Sequence, residues 1–318
     1  MSAYKKLGFL MVFILPSLII LGYNLGGVWT FSNILFAYAF IPIIDEIFGK
    51  DPQNIEKNDL PALAGEVYFE GVLHVLAYVQ VGIVIWACYV FSLGTMSGLE
   101  MVGMTLSVMT LGGGAINISH ELGHKPSKIA QFHSKMILMT VCYMHFFIEH
   151  NKGHHVHVAT PNDPATSKKN QTFYQFWAQS VFGSWLSAWN IEKRRLERVR
   201  KSTTSFSNGM IWFALLPILF CGLLTFVLSL QTGTFVWIVP IFFFTQAILA
   251  FSTLEAVNYI EHYGLMRKEI KPLRTSESFT FLELQPHGKQ FSAFPTPTPT
   301  PFQPPRLRSS PLPNPPTF

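Results

Sequence analysis

Charge is what this sequence has least of. Of 318 residues, 23 are Lys or Arg and 18 are Asp or Glu, 13% in all, where a soluble domain carries roughly 25%. That shortage, with a hydrophobic content of 49%, excludes an ordinary water-soluble enzyme. Cysteine is nearly absent: Cys88, Cys142 and Cys221 sit in or beside apolar runs with no C-x-x-C spacing. Neither a disulfide framework nor a zinc knuckle is supported, and a reducing, cytoplasm-facing setting fits. The formal charge of +5 does not make a nucleic-acid binder, because the basic residues are spread between apolar runs without interleaved aromatics. No internal repeat stands out.

Apolar length is what the chain does have. About 20 apolar residues cross the hydrocarbon core of a bilayer, and six segments approach that length: 7–23, 28–44, 72–93, 101–118, 209–230 and 235–257. They pair into three hairpins whose turns, 24–27, 94–100 and 231–234, hold no Lys or Arg, whereas all 23 basic residues lie on the other side. The positive-inside rule then puts both termini and the long loops in the cytoplasm. The first segment lacks a small-residue cleavage site and is kept as a span. The pattern predicts an all-α integral membrane fold with six transmembrane helices and its long loops in the cytoplasm. In the long connection, residues 136–148 are too short to span and read as a helix at the interface. Residues 173–201 read as a helix whose end, from Glu192 to Lys201, is basic. That end either rests on anionic headgroups or is a solvated helix terminus.

Seven of the eleven histidines lie between His120 and His155. His120 and His124 stand at i and i+4 directly after the fourth span, so on a continuing helix their rings share a face, ~5–6 Å apart at Cβ. His150 and His154 repeat that spacing, and His155 is turned from them by ~100°, toward a second ion. His262 adds an imidazole at the end of the sixth span. A lone His-x-x-x-His is often structural; two pairs plus a His-His step at membrane ends point to metal. His120-Glu-Leu-Gly-His124 also fits the zincin pattern, with Glu121 as base. Zinc hydrolysis, however, needs three protein ligands and an open position, and six clustered histidines are too many for one such ion. Imidazole-rich sites also suit iron or copper, and two irons handling O₂ fit the count best. Glu121, Glu149 and Glu261 adjoin the proposed ligands, where they either accept the second ring N–H, bind metal or lie on the helix surface. Asp163 supports a ligand or simply forms the Asn-Asp-Pro turn. His74, His133, His145, His157 and His287 have no partner at persuasive spacing and are read as non-ligands, His145 being the closest to the site.

The strings Asn117-Ile-Ser-His-Glu-Leu-Gly-His-Lys125, His145-Phe-Phe-Ile-Glu-His-Asn-Lys-Gly-His-His155, Ala159-Thr-Pro-Asn-Asp-Pro-Ala165 and Asn258-Tyr-Ile-Glu-His-Tyr-Gly-Leu265 resemble the integral-membrane alkane 1-monooxygenases, within the histidine-rich membrane diiron superfamily of the fatty acid desaturases. The resemblance covers about residues 5–270. It implies a membrane-embedded diiron hydroxylase over 1–270, located in the bacterial inner membrane, in which the six transmembrane helices carry a cytoplasmic, histidine-rich metal cap. His120, His124, His150, His154, His155 and His262 would be six of the family's nine ligands to two non-haem iron ions. The implied reaction is O₂-dependent hydroxylation of a terminal alkane carbon to a primary alcohol. Electrons would come from rubredoxin, itself reduced by an NADH-dependent reductase. An alkane has no polar handle, so its chain end must be selected by an apolar tunnel. Phe31, Phe36, Tyr38 and Phe40 of the second span either line it or face lipid and neighbouring helices.

One departure is large. The family's third box, Leu-Gln-Arg-His-Ser-x-His-His, is missing, and 11 of the 21 prolines fall after Leu284. Read one nucleotide later, the codons for 272–276 can spell R-Y-E-R-V, those for 280–286 H-S-W-N-S-N-H, and those for 298–306 L-Q-R-H-S-N-H-H-A. All three strings resemble the family's continuation, in order. A frameshift near 268–271 follows, leaving 271–318 as an out-of-frame, disordered tail rich in Pro and Thr. Two other readings stay open: a related oxygenase or desaturase acting on acyl or aromatic substrates, and a non-catalytic truncated homologue.

Overall fold

The computed structural model describes residues 7–49 and 67–267, which are helical with no strand among them. They belong to one compact unit, Met1–Lys268, while the second unit, Glu269–Phe318, lies outside the described residues. The tail reading and His287 therefore also fall outside them. Six helical segments are long and apolar enough to cross a membrane: Leu7–Leu25, Gly27–Phe48, Val67–Ser92, Gly98–His124, Gly209–Thr232 and Ile238–His262. This is the all-α membrane architecture expected from the sequence, and the protein is multi-pass. Two spans run beyond their apolar stretch, and those polar extensions carry His120, His124 and His262.

Local chemistry sets the ends. Ser97 Oγ accepts from Glu100 N–H at 3.3 Å while Glu100 Oε2 accepts from Ser97 N–H at 2.8 Å, a reciprocal cap that starts the fourth span. Glu100 Oε1 also accepts from Gly27 N–H at 2.7 Å, which ties the first hairpin turn to the second. The second span is irregular, passing from a 3₁₀ turn at Gly27–Phe31 through a π segment at Phe36–Phe40 to an α-helix at Ile41–Phe48. Gly103 leaves room there for Thr30 and Phe31. Tyr38 and Phe40 are each 52% exposed, so neither lines an enclosed tunnel among the described residues.

The fourth and sixth spans pack closely because one of them is small at the contact. A Cβ on Gly112 would meet Ala250 Cβ at 3.2 Å and Val141 Cγ1 at 3.1 Å, the close approach that small residues allow between membrane helices. Beside them lies a helix at Lys128–Thr140. The single interface helix expected over 136–148 is not formed: the chain breaks after Thr140, with Cys142 at φ 51°, and restarts at Phe146. Cys142 in the left-handed region ends the first piece, as that conformation cannot continue a right-handed helix. The helix expected over 173–201 runs Phe173–Arg198, capped by Thr172 and Gln175.

Candidate metal centre

The site is built at one end of the bundle by the fourth span, the sixth span and the segment after Phe146. His120 and His124 project from the last turns of the fourth span, with ring centroids 4.5 Å apart. The second histidine group departs from the expected geometry. His150–His154 is a π segment, and the His155 N–H reaches back five residues to the His150 carbonyl. The wider turn brings His155, not His154, onto the His150 face: the centroids are 4.4 Å apart for His150 and His155, and 5.3 Å for His150 and His154. A π-bulge is one residue inserted into an α-helix, and it shifts the helical register by that residue. The i, i+4 argument therefore misassigned which imidazole follows which.

Two groupings result. His120, His124, His150 and His155 each offer one ring nitrogen, and these four lie within 4.8 Å of one another. Nε2 of His124 is 3.0 Å from Nε2 of His120 and 3.1 Å from Nε2 of His155. His154 turns to the other side, where its ring lies 5.0 Å from that of His262. All six candidates thus form one contiguous cluster.

The neighbouring acids take distinct places. Asp163 is buried, accepts from His154 Nδ1 at 2.9 Å, and receives Ala165 N–H at 3.1 Å and the Thr166 hydroxyl. It forms the turn and orients the ring at once. Burial works against a charged His154, but the hydrogen bond and charge of Asp163 outweigh it and hold the ring above its ordinary pKa. Burial, reinforced by the neighbouring imidazoles, pushes His150 well down and His155 to about 4. Both stay neutral near pH 7, the form that binds metal. Glu121 Oε1 lies 3.4 Å from His120 Nδ1. Glu149 is buried, its Oε1 has no hydrogen-bond partner among the described residues, and burial pushes its carboxyl up to about 7. Gly153 makes room for it, since a Cβ there would stand 2.5 Å from Glu149 Oε1. Glu261 is exposed and pairs with no histidine among the described residues.

The remaining histidines lie elsewhere. His74 and His133 face each other through Nδ1 at 2.7 Å, and the Tyr78 hydroxyl is 2.8 Å from His133 Nε2. His145 is buried between Tyr143 and Trp185 with neither ring nitrogen hydrogen-bonded among the described residues. Sequence reasoning missed Glu255, Tyr143 and Asn258, which line a small cavity with Glu149, His150 and His154. The Tyr143 hydroxyl donates to Glu255 Oε1 at 2.7 Å, and Asn258 Nδ2 to Oε2 at 3.5 Å. The signal was present: an acid inside a membrane span marks a functional position.

Four imidazole donors within 4.8 Å of one another are near enough to share a single ion, since small side-chain rotations bring each to a metal–nitrogen bond of about 2.1 Å. The orphaned, buried Nε2 of His150 fits the same role. Comparisons with known proteins agree with the histidine strings. The fatty acid desaturase family model matches residues 97–288. Alkane 1-monooxygenase 2 of Alcanivorax borkumensis is 34% identical over 277 residues, 84% of this chain and 71% of that protein. Alkane 1-monooxygenase 2 of Pseudomonas aeruginosa is 35% identical over 253 residues, 79% of this chain and 65% of that protein. The xylene/toluene monooxygenase hydroxylase component of Pseudomonas putida is 25% identical over 262 residues, 80% of this chain and 66% of that protein. Across the alkane 1-monooxygenases matched, the chain spans from 55% to 71% of the relative's length. The helical bundle, the histidine cluster and these matches together place the chain in the alkane 1-monooxygenase branch of the fatty acid desaturase family, a family of enzymes.

Proposed function

We propose that the protein hydroxylates a terminal carbon of alkanes, with O₂, to give primary alcohols at a two-iron, non-haem centre. The observation that carries this reading is the four-imidazole cluster in a chain 34% identical to an alkane 1-monooxygenase. His120, His124, His150 and His155 would hold one ion, and His154 and His262 would contribute to the second. When bound, iron supplies the activation of O₂ and the removal of hydrogen from an unactivated methyl group.

The chain's own residues place and shield that chemistry. Asp163 fixes His154 with Nδ1 protonated, which leaves Nε2 free for metal, and Glu121 can do the same for His120. Phe146 stacks on His150 at 4.6 Å and excludes water from that ring. Glu149 lines the cavity beneath His150 and His154 and can hold a proton there. Glu261, exposed and unpaired with any histidine among the described residues, has no part in this scheme.

Electrons would come from rubredoxin and its NADH-dependent reductase. The location would be the bacterial inner membrane with both termini cytoplasmic, which the one-sided distribution of Lys and Arg supports. Identities of 33–36% to the alkane enzymes against 25% to the xylene/toluene component favour alkanes over aromatic methyl groups.

In this reading residues 1–270 are the hydroxylase unit and 271–318 an out-of-frame tail. Without the third histidine box the second ion would be held by too few imidazoles, and turnover would be poor. The test is co-expression with rubredoxin and its reductase, as written and with the frame restored, followed by conversion of octane. The restored form should yield 1-octanol. An alkene, or turnover only of xylene to a benzylic alcohol, would replace the alkane reading, and equal turnover by both forms would remove the frameshift from the account.

A further inference from the structure

The Phe173–Arg198 helix ends in a segment that the metal centre does not use. From Glu192 to Lys201 there are six basic residues and two acids. One of those acids is already engaged. Glu192 is buried, accepts two bonds from Arg195 at 2.7 Å each, and receives Gly209 N–H at 2.8 Å. Arg195 also donates to the Ser207 carbonyl at 3.0 Å. This clamp fastens the helix end to the first residues of the fifth span, Gly209–Thr232, so its height is set at the point where the chain enters the bilayer.

What remains outside the clamp is cationic. Lys193 faces Glu197 at 4.0 Å, while Arg194, Arg198, Arg200 and Lys201 are exposed without a carboxylate partner among the described residues. Lys201 Nζ donates to Ser207 Oγ at 3.4 Å, and the residue before Ser207 begins a pair of aromatic rings. Phe206 is 77% and Trp212 40% exposed, 5.9 Å apart, and Trp212 Nε1 donates to the Phe206 carbonyl at 2.9 Å. An amphipathic Trp at the mouth of a span is the side chain that settles at headgroup level. Neutralising the helix C-terminus uses one or two cations in its last turn. It does not account for Arg200 and Lys201 beyond the helix, or for an exposed aromatic pair beside them.

We infer that this corner of the molecule is a binding site for the phosphate headgroup of an anionic glycerophospholipid, held by Arg194, Arg198, Arg200 and Lys201 with Trp212 at the level of its glycerol. Arginine guanidinium groups grip phosphate by paired N–H donors, and basic clusters flanking a span select anionic lipid. The acyl chains would lie along the fifth span, whose Leu215, Leu219 and Phe226 are exposed. A soluble acidic protein would also be drawn to the charge. The membrane-entry position and the aromatic pair favour the lipid. The inference does not depend on the catalytic reading.

The test places the full chain in nanodiscs of phosphatidylcholine containing either brominated phosphatidylglycerol or brominated phosphatidylcholine at equal fraction. Trp212 quenching is taken as the difference between wild type and Trp212→Phe. The phosphatidylglycerol probe should quench Trp212 about fivefold more than the phosphatidylcholine probe at low salt, and the ratio should fall at high salt. The quadruple variant Arg194→Gln/Arg198→Gln/Arg200→Gln/Lys201→Gln should bring the ratio to about one, and Arg194→Gln or Arg198→Gln alone to an intermediate value. Equal quenching in the wild type overturns the inference, as does a ratio indifferent to these substitutions. If the substitutions leave the lipid ratio unchanged and abolish binding of rubredoxin instead, the surface belongs to a soluble acidic partner and the inference fails.

Discussion

His155 joins His120 and His124 because its backbone N–H bonds back to the His150 carbonyl, five residues earlier. His154, displaced by the same bulge, meets His262 and the Asp163 carboxylate instead. One acid therefore orients the ring of the smaller group. Asp163→Asn keeps the side chain's shape and its turn-forming oxygen but loses the charge that fixes His154. Metal affinity at that ring should fall 10–100-fold, visible in an iron titration of the frame-restored protein, while the four-imidazole group keeps its metal. The clustering of these histidines was legible in the sequence because spacing alone brings i and i+4 residues together. Their division into two groups was not, because nothing in His150-Asn-Lys-Gly-His-His155 announces a change of helical period. Glu255 was legible in principle, as an acid within an apolar span.

At the scale of helices, two contacts position the site. The first is the seam of Gly112 and Gly113 against Ala250, which brings the fourth and sixth spans close enough for their ends to share one cluster. Gly112→Leu should cost about 1–3 kcal/mol by overpacking and separate His262 from His154. A lowered melting temperature in detergent, with a lower iron content in the frame-restored protein, would show it. The second contact is the Glu192–Arg195 clamp. The Arg195 hydrogen bonds hold Glu192 below its ordinary pKa, so the sign is that of a depressed acid. Its stabilisation is present above the ordinary carboxylate range and is lost as pH falls through the lowered value. Wild type should therefore lose thermal stability as pH falls below the ordinary carboxylate range, from about pH 4.3 downward, and Glu192→Gln should flatten that limb. The spans themselves were readable from apolar length. Their ends were not, because a helix is not obliged to stop where its apolar run stops.

For the molecule as a whole, the bundle delivers six imidazoles to one end, and the two groupings differ in completeness. His120, His124, His150 and His155 supply enough donors for an ion by themselves; His154 and His262 do not. The chain as written should therefore bind about one iron per molecule. Restoring the third histidine box should raise this toward two and bring alkane turnover with it. The most direct measurement is iron per chain after anaerobic loading with ferrous ion, on the chain as written and its variants His150→Gln and His262→Gln. The account predicts about one iron in the parent, nearly none in His150→Gln and little change in His262→Gln. Iron retained in His150→Gln, or no iron bound by the parent, would contradict it.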